Sequence, residues 1–462
     1  MSSAPSRLRQ ARAPSGAPRA VAESGRRVRR RLPVDAVVVL LAWAGVVGLT
    51  SLWGESIKAG GQRLYLNAPP LTPHWDPRFH PLAPIGILVA LLIAVAAPSL
   101  VTRLRWRHLL PALFVGGFAF ALSLSLMDGV REVIAPVARP AEYLADAVRI
   151  DSPMEFLRTL VERIDRYGTH VRAHPPAMVL FVWAIGRAGL AHPWPVALIE
   201  MAGAAAAAPA VVIAVREVAG EKIARRAAPF VAFAPIAVFA TTGDALFAGV
   251  GAWAVSLLVV ATGRSGRRRD LLALSGGILF GVTIFLSYGL VLLAAIPITV
   301  AIVRRRYRPM MIAIGGVIVV VLAFLGAGFW WVEGLFVTRR EYLESVARLR
   351  VYRYFVLANL VAFAIALGPA IAVGLVRLRS RGVWLLVGGA LLAVALADVS
   401  GMSKAETERI WYPFAVWVLA AGAALWSDTG GDPPGGIRSA RRWLGLQVTG
   451  AIVLQLTVAS LW

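Results

Sequence analysis

The side chains able to do chemistry sit in polar stretches between long apolar runs. The largest stretch, 128–175, opens with Asp128-Gly129 and continues Pro140-Ala-Glu142-Tyr143-Leu-Ala-Asp146. It closes with Tyr167-Gly-Thr-His170-Val-Arg172-Ala-His174-Pro175-Pro176. A carboxylate beside a bilayer boundary is partly desolvated, which lifts its pKa toward neutrality and suits it to general-base work. Asp128 and Glu142 fit that description; the plain alternative for Asp128 is a helix-end carboxylate standing in water. Asp244, in the tight turn Gly243-Asp244, reads equally as a cap on the next helix or as a group facing a cavity. His170 and His174 have the i, i+4 spacing, but Pro175 pushes His174 out of a helix and a metal site needs a third ligand. His174 is therefore read as a hydrogen-bond donor to an anionic headgroup, against a satisfied interfacial histidine.

Cations form a second set. Lys404 and Arg409 lie in Ser400-Gly-Met-Ser-Lys404-Ala-Glu406-Thr-Glu408-Arg409-Ile-Trp411-Tyr412-Pro413. They can neutralise a phosphate, or simply pair with Glu406 and Glu408. Stretch 332–354 adds Arg339, Arg340, Tyr342, Arg348, Arg350, Tyr352 and Arg353. Between 153 and 166, Met154, Phe156, Leu157, Leu160, Val161 and Ile164 recur at helical spacing, the mark of an amphipathic surface helix whose Glu155, Glu162 and Arg163 face solvent.

The elements that must position these groups follow from composition. Apolar residues are 58% of the 462 and charged residues 16%, too few to cover a soluble fold of this length. The absence of cysteine excludes disulfides, Cys-ligated zinc and a thiolate nucleophile. Apolar runs fall at 36–53, 84–102, 109–127, 176–191, 194–215, 227–242, 246–262, 271–287, 289–303, 309–331, 355–377, 383–399, 411–426 and 443–461. Most approach the roughly 20 residues that cross ~30 Å of hydrocarbon. The expectation is an all-α polytopic membrane protein.

Lys plus Arg minus Asp plus Glu is 48 − 25 = +23. The arginines cluster at 103–107, 225–226, 267–269, 304–306, 377–381 and 438–442, between apolar runs. That is the positive-inside pattern, favoured over nucleic-acid binding, so these loops are read as cytoplasmic. Stretches 54–83, 128–175, 332–354 and 400–410 then face outward, and the basic residues of 332–354, against the rule, point to an anionic partner such as a lipid-linked phosphate. With 128–175 outside and 216–226 inside, runs 176–191 and 194–215 cannot both cross. The shorter, bounded by Pro175-Pro176 and Pro193, is read as a partial or re-entrant helix, which leaves about 13 crossings with the C-terminus outside.

The organisation expected is a disordered basic cytoplasmic tail at 1–33, N-terminal transmembrane helices at 34–127, an extracytoplasmic loop with the amphipathic helix at 128–175, and a transmembrane core at 176–462. The tail holds nine arginines against Glu23, and does not read as a cleavable signal. No repeat of fixed period is visible, and the turn-rich 428–436 lacks the Lys and the strand-to-helix setting of a phosphate loop. No cofactor is called for, and a divalent metal is left open.

The order of these motifs resembles the GT-C superfamily of membrane glycosyltransferases, especially its protein O-mannosyltransferase and aminoarabinose transferase branch. The outward loop opens with an acid after a span. Glu142-Tyr143 follows, and His174-Pro175-Pro176 leads into a short apolar helix. A span ends in Arg216-Glu-Val-Ala-Gly220, and an outward Asp244 precedes the next span. The likeness covers about 128–290, with an echo at 400–413. It implies a polyprenyl-phosphate sugar donor, an acceptor (glycan, lipid or protein) reached from outside, inversion at the sugar carbon, and a loop acid as base. Glu142 matches the second acid of the family loop, Pro175-Pro176 the start of the helix, and Asp244 the later Asp. Ala141 stands where the family often has Asp, and runs 36–53 and 84–102 are additional, so Asp128 and Asp76 stay open as the base. Tyr143, His174, Arg339, Arg340, Lys404 and Arg409 are then substrate-binding candidates, the cations answering the leaving phosphate. The competing reading is a non-catalytic lipid-binding or transporter-like protein. The arginine-rich composition points to a bacterial plasma membrane.

Overall fold

The computed structural model describes residues 34–426 and 433–459; the tail 1–33 and most of the turn-rich 428–436 lie outside the described residues. The fold is all-α and multi-pass. In chain order the helices are α1 (Val34–Ala59), α2 (Ala83–Arg103), α3 (Trp106–Leu126), α4 (Tyr143–Ala147), α5 (Pro153–Thr159), α6 (Thr169–Ala173), α7 (Ala177–Ile185), α8 (Pro193–Ala219), α9 (Glu221–Ala232) and α10 (Gly243–Thr262). Then follow α11 (Gly266–Leu286), α12 (Ala295–Arg304), α13 (Arg308–Gly326), α14 (Trp331–Glu344), α15 (Tyr352–Leu367), α16 (Pro369–Arg377), α17 (Arg381–Val399), α18 (Thr407–Ile410), α19 (Tyr412–Val418) and α20 (Pro433–Thr457). Among the described residues the strands are β1 (His74–Trp75) and β2 (Val458–Ala459), which pair antiparallel.

Eight of these helices, α1, α2, α3, α8, α10, α11, α13 and α17, are long and apolar enough to cross a membrane; the pair α15–α16, bent by 95°, makes a ninth if it is one span. Several other apolar runs form helix in pieces, and Gly or Pro marks the breaks. Run 355–377 breaks at Gly368, whose φ of 89° no β-carbon residue takes readily, just before Pro369. Run 227–242 gives α9, then a 3-10 turn at Pro235–Phe239. Run 289–303 gives a 3-10 segment, Tyr288–Ala294, before α12, and 411–426 gives α19 before Leu419–Leu425.

The arginine clusters meet at one end of the bundle. Arg225 donates to the carbonyls of Val101 (2.7 Å) and Leu104 (2.8 Å) and pairs with Glu221. Glu217 holds Arg264 (3.0 Å) and Arg304 (3.2 Å), and Arg304 also reaches Thr262. Arg377 pairs with Asp35 at 2.8 Å.

Helices α8 and α10 form the buried centre and run parallel. Glu217 of α8 lies beside Gly263 just past α10, and Gly203 lies against Leu246 and Gly249. The first residues of α8 and α10 therefore share the end opposite the arginines. The start of α7 is at that end too, because His174 packs on Phe247 of α10. Helix α7 and the π-turn that follows it (Gly186–Leu190, with Gly189 at φ 83°) thus begin and finish near the same end. Within 153–166 the single helix expected is replaced by α5, which ends at Thr159, and a 3-10 turn; Phe156, Leu157, Leu160 and Ile164 are buried, while Met154 is exposed and Val161 half-buried.

Candidate functional site

Glu142 is the N-cap of α4 with extended backbone and no capping bond from its side chain, so the carboxylate is free to turn away from the helix. It meets His170 of α6, with Nε2 3.1 Å from Oε1. Two bonds hold the loop that makes this meeting: His170 N donates to Ala141 O (3.2 Å), and Gly168 N donates to the buried Asp146 carboxylate (2.8 Å). Asp146 is thus a staple rather than a reactant.

One turn further, His174 leaves α6 in extended backbone, as Pro175 demands. Its Nδ1 lies 2.9 Å from His170 O, an acceptor, so Nδ1 carries the hydrogen and Nε2 is the free acceptor. Tyr143, His170, His174 and Phe247 form one ring cluster, with centroids 5.7 to 6.5 Å apart. Burial lowers the His174 pKa to about 4, although Asp244 pulls it up, so the ring is neutral at physiological pH. Its role shifts accordingly, from donor to an anion to acceptor for a hydroxyl or N–H.

Asp244 caps nothing: Thr242 is the N-cap of α10, and the Asp244 carboxylate binds Arg409 Nη1 at 2.6 Å. Arg409 Nη2 binds Glu406 at 2.5 Å. Of the two openings left by the sequence, the pairing of Arg409 with a neighbouring acid is realised, and Asp244 is its second partner. Arg409 is 5% exposed; burial works against its charge, but Glu406, Asp244 and Glu142 outweigh it and raise the pKa. Burial alone would raise Glu142, yet His170 and Arg409 reverse this and hold the carboxyl below its usual 4.5. Glu200 of α8 completes the cluster. It is 3% exposed, acts electrostatically on Glu142, Asp244 and Tyr143, and makes no hydrogen bond or ion pair among the described residues.

The fold thus brings together Glu142, Tyr143, His174, Asp244 and Arg409. It places the other candidates elsewhere. Asp128 is held by Arg78 and by Gln455 Nε2 (2.7 Å), joining the stretch between α1 and α2 to α20. Asp76 is exposed and pairs with Arg78. Lys404 donates its ammonium to Ala347 O (3.1 Å) and its amide to Tyr342 Oη (2.9 Å), which fastens the 345–350 stretch to the 400–410 loop. Arg339 and Arg340 are exposed on α14 and form no ion pair among the described residues.

Sequence reading left three members out of the site. His170 had a signal, its spacing from His174, but was weighed only as a metal ligand. Glu406 was visible as a partner of Arg409. Glu200 stands in the apolar run 194–215, where a carboxylate is costly enough to mark a site by itself. Among the described residues no group of three His, Asp or Glu side chains is arranged to hold a metal ion. No protein-family model and no curated protein matches the chain.

Proposed function

We propose that the chain is an integral-membrane glycosyltransferase of the GT-C kind, moving a sugar from a polyprenyl-phosphate donor to an acceptor reached from outside, with inversion. One observation carries the reading. Four segments distant in the chain, 140–146, 168–176, 243–247 and 406–409, bring an ionised carboxylate, a neutral imidazole and a buried guanidinium into one cluster, at the end opposite the arginine clusters. In the reaction Glu142 takes the proton of the acceptor hydroxyl as that oxygen bonds to the sugar carbon. The bond from that carbon to the phosphate oxygen breaks on the far side, and the phosphate leaves with the electron pair. His170 steadies Glu142 in both protonation states. The surplus of carboxylates (Glu142, Asp244 and Glu406 around Arg409) repels a phosphate, so the sugar and acceptor occupy this cluster. The phosphate lies toward the uncommitted cations of α14, Arg339 and Arg340.

The same reading gives thirteen traverses and one re-entrant helix, the N-terminus in the cytoplasm, the C-terminus outside, and a bacterial plasma membrane. It is supported by the short helix 177–190, which begins and finishes near one end of the bundle, and by the broken runs spanning from one end to the other. Label transfer from a polyprenyl-phosphate-linked sugar, measured in membranes, tests the proposal. Glu142→Gln should lower the rate on the order of 10²–10⁴-fold while the protein folds. Asp128→Asn should act through the Arg78 bridge on stability instead, and full activity of Glu142→Gln removes the base.

Glu200 favours a second reading, a transporter-like protein, because an unpartnered acid within a membrane helix commonly marks an ion or proton path. Retained transfer in Glu142→Gln together with substrate crossing the membrane would establish it.

A further inference from the structure

Between α1 and β1, residues 62–73 cross the outer end of the bundle without helix. Leu64 and Leu66 are buried there, yet they do not join the main core. They pack in a separate small cluster with Tyr354, Phe355, Ala358 and Ala405. The bonds that fasten the far side of this segment go to one short loop. Thr72 N donates to Glu408 Oε1 at 3.0 Å, and Glu406 N donates to Thr72 Oγ1 at 3.0 Å. Asn67 presents Thr72 by donating to its carbonyl twice, from N (3.3 Å) and from Nδ2 (3.1 Å).

The loop receiving these bonds carries Glu406 and Arg409 of the candidate site. It is fixed from below by Asn359 of α15, whose Nδ2 donates to Ser403 O (2.6 Å) and whose Oδ1 accepts from Ala405 N (3.1 Å). Thr407 Oγ1 closes the clamp on Asn359 O at 3.0 Å. The loop is anchored by this clamp, whereas the 62–73 segment reaches the main core through Leu71 and otherwise rests on the satellite cluster, and a segment seated chiefly on such a cluster opens before the core does.

We propose that residues 62–73 are a strap over the Arg409 loop, latched by Thr72 on Glu408 and released when the Glu408 carboxyl ionises. Closed, the strap leaves Glu408 1% exposed with Oε2 unpartnered among the described residues. Glu406, on the same loop, is the charged group that acts on it, and it is a like charge. The neighbouring Arg409 turns its guanidinium on Asp244 and Glu406. The strap itself offers the Thr72 amide, which accommodates either form. Opening returns the carboxylate to water and uncovers Glu406 and Arg409.

Burial, with Glu406 adding to it, pushes Glu408 up to about 7 from 4.5, against the pull of its backbone hydrogen bonds. A carboxyl raised in the closed state favours closure at low pH, and closure weakens as pH rises from 4.5 through 7. The strap stands independently of the chemistry proposed for the site.

Hydrogen exchange of the full chain in detergent tests it, with the Asn67, Leu71 and Thr72 amides as reporters. After correction for intrinsic rates, opening should be on the order of a hundredfold greater near pH 8 than near pH 5. Glu408→Gln should abolish that dependence. Thr72→Val, which deletes the Oγ1 acceptor, should raise opening at both pH values and keep the slope. Equal protection of the wild type at both pH values, or the same rise in Glu408→Gln, overturns the proposal.

Discussion

Burial alone would leave a proton on Glu142; His170 and Arg409 take it off. A base held below 4.5 stays ionised through the physiological range, so the acid limb of transfer set by Glu142 should fall below pH 4.5. An acid limb near neutrality in the pH–rate profile would assign the proton to another group. His174 is depressed from 6.5 to about 4, so an unfolded imidazole binds its proton first. This residue's share of stability is therefore present above pH 6.5 and lost as pH falls toward 4. Thermal unfolding across that window should slope downward with acid, and His174→Gln should flatten it; an unchanged slope would place its origin elsewhere. Glu200 faces two carboxylates with no partner among the described residues, so Glu200→Gln should unfold no earlier than wild type. A loss above about 1 kcal/mol would mean that the ionised side chain holds the fold. Asp244→Ala, by contrast, strips Arg409 of one buried partner and should cost about 3–5 kcal/mol in denaturant unfolding.

At the scale of the helices, the site depends on how closely α8 and α10 approach. A Cβ on Gly203 would stand 2.5 Å from Leu246 Cα, and one on Gly249 would strike the Gly203 carbonyl oxygen. Gly249→Val should force the pair apart, costing about 1–3 kcal/mol or more, and should misplace Asp244 against Arg409. Wild-type unfolding in that variant would contradict the packing. The apolar runs were legible in the sequence because length and composition alone mark them; the breaks at Pro369 and Pro235 were not read, since runs 355–377 and 227–242 look continuous by composition. The shortness of the helix at 177–190 was legible from the prolines that bound its run, Pro175 and Pro193. Which acid of the polar stretches meets which cation was not legible. Arg409 has Glu406, Glu408 and Asp244 within its possible reach by sequence, and only packing of α10 beside the 406–409 loop selects Asp244 over Glu408. Glu408 turns instead to Thr72, more than 300 residues earlier, a pairing no local pattern announces. Glu200 was overlooked because one acid scarcely changes the hydropathy of a long apolar run.

At the scale of the molecule, charge divides the two ends of the bundle. Arginine pairs gather at the end holding Glu217 and Asp35, and the carboxylate-rich cluster sits at the other. The chain has no cysteine, so single cysteines report sidedness cleanly. Both Asp151 and Arg267 are exposed. Asp151→Cys should react with an impermeant maleimide on intact cells and Arg267→Cys only after permeabilisation; the reverse pattern would invert the orientation. The central claim, that Glu142 removes the acceptor's proton in transfer from a polyprenyl-phosphate sugar, is tested most directly by mass spectrometry of lipids co-purified in mild detergent with wild type and with Glu142→Gln. The account predicts a polyprenyl-phosphate in both, still carrying its sugar in the variant. Bulk phospholipid alone in both preparations would contradict it.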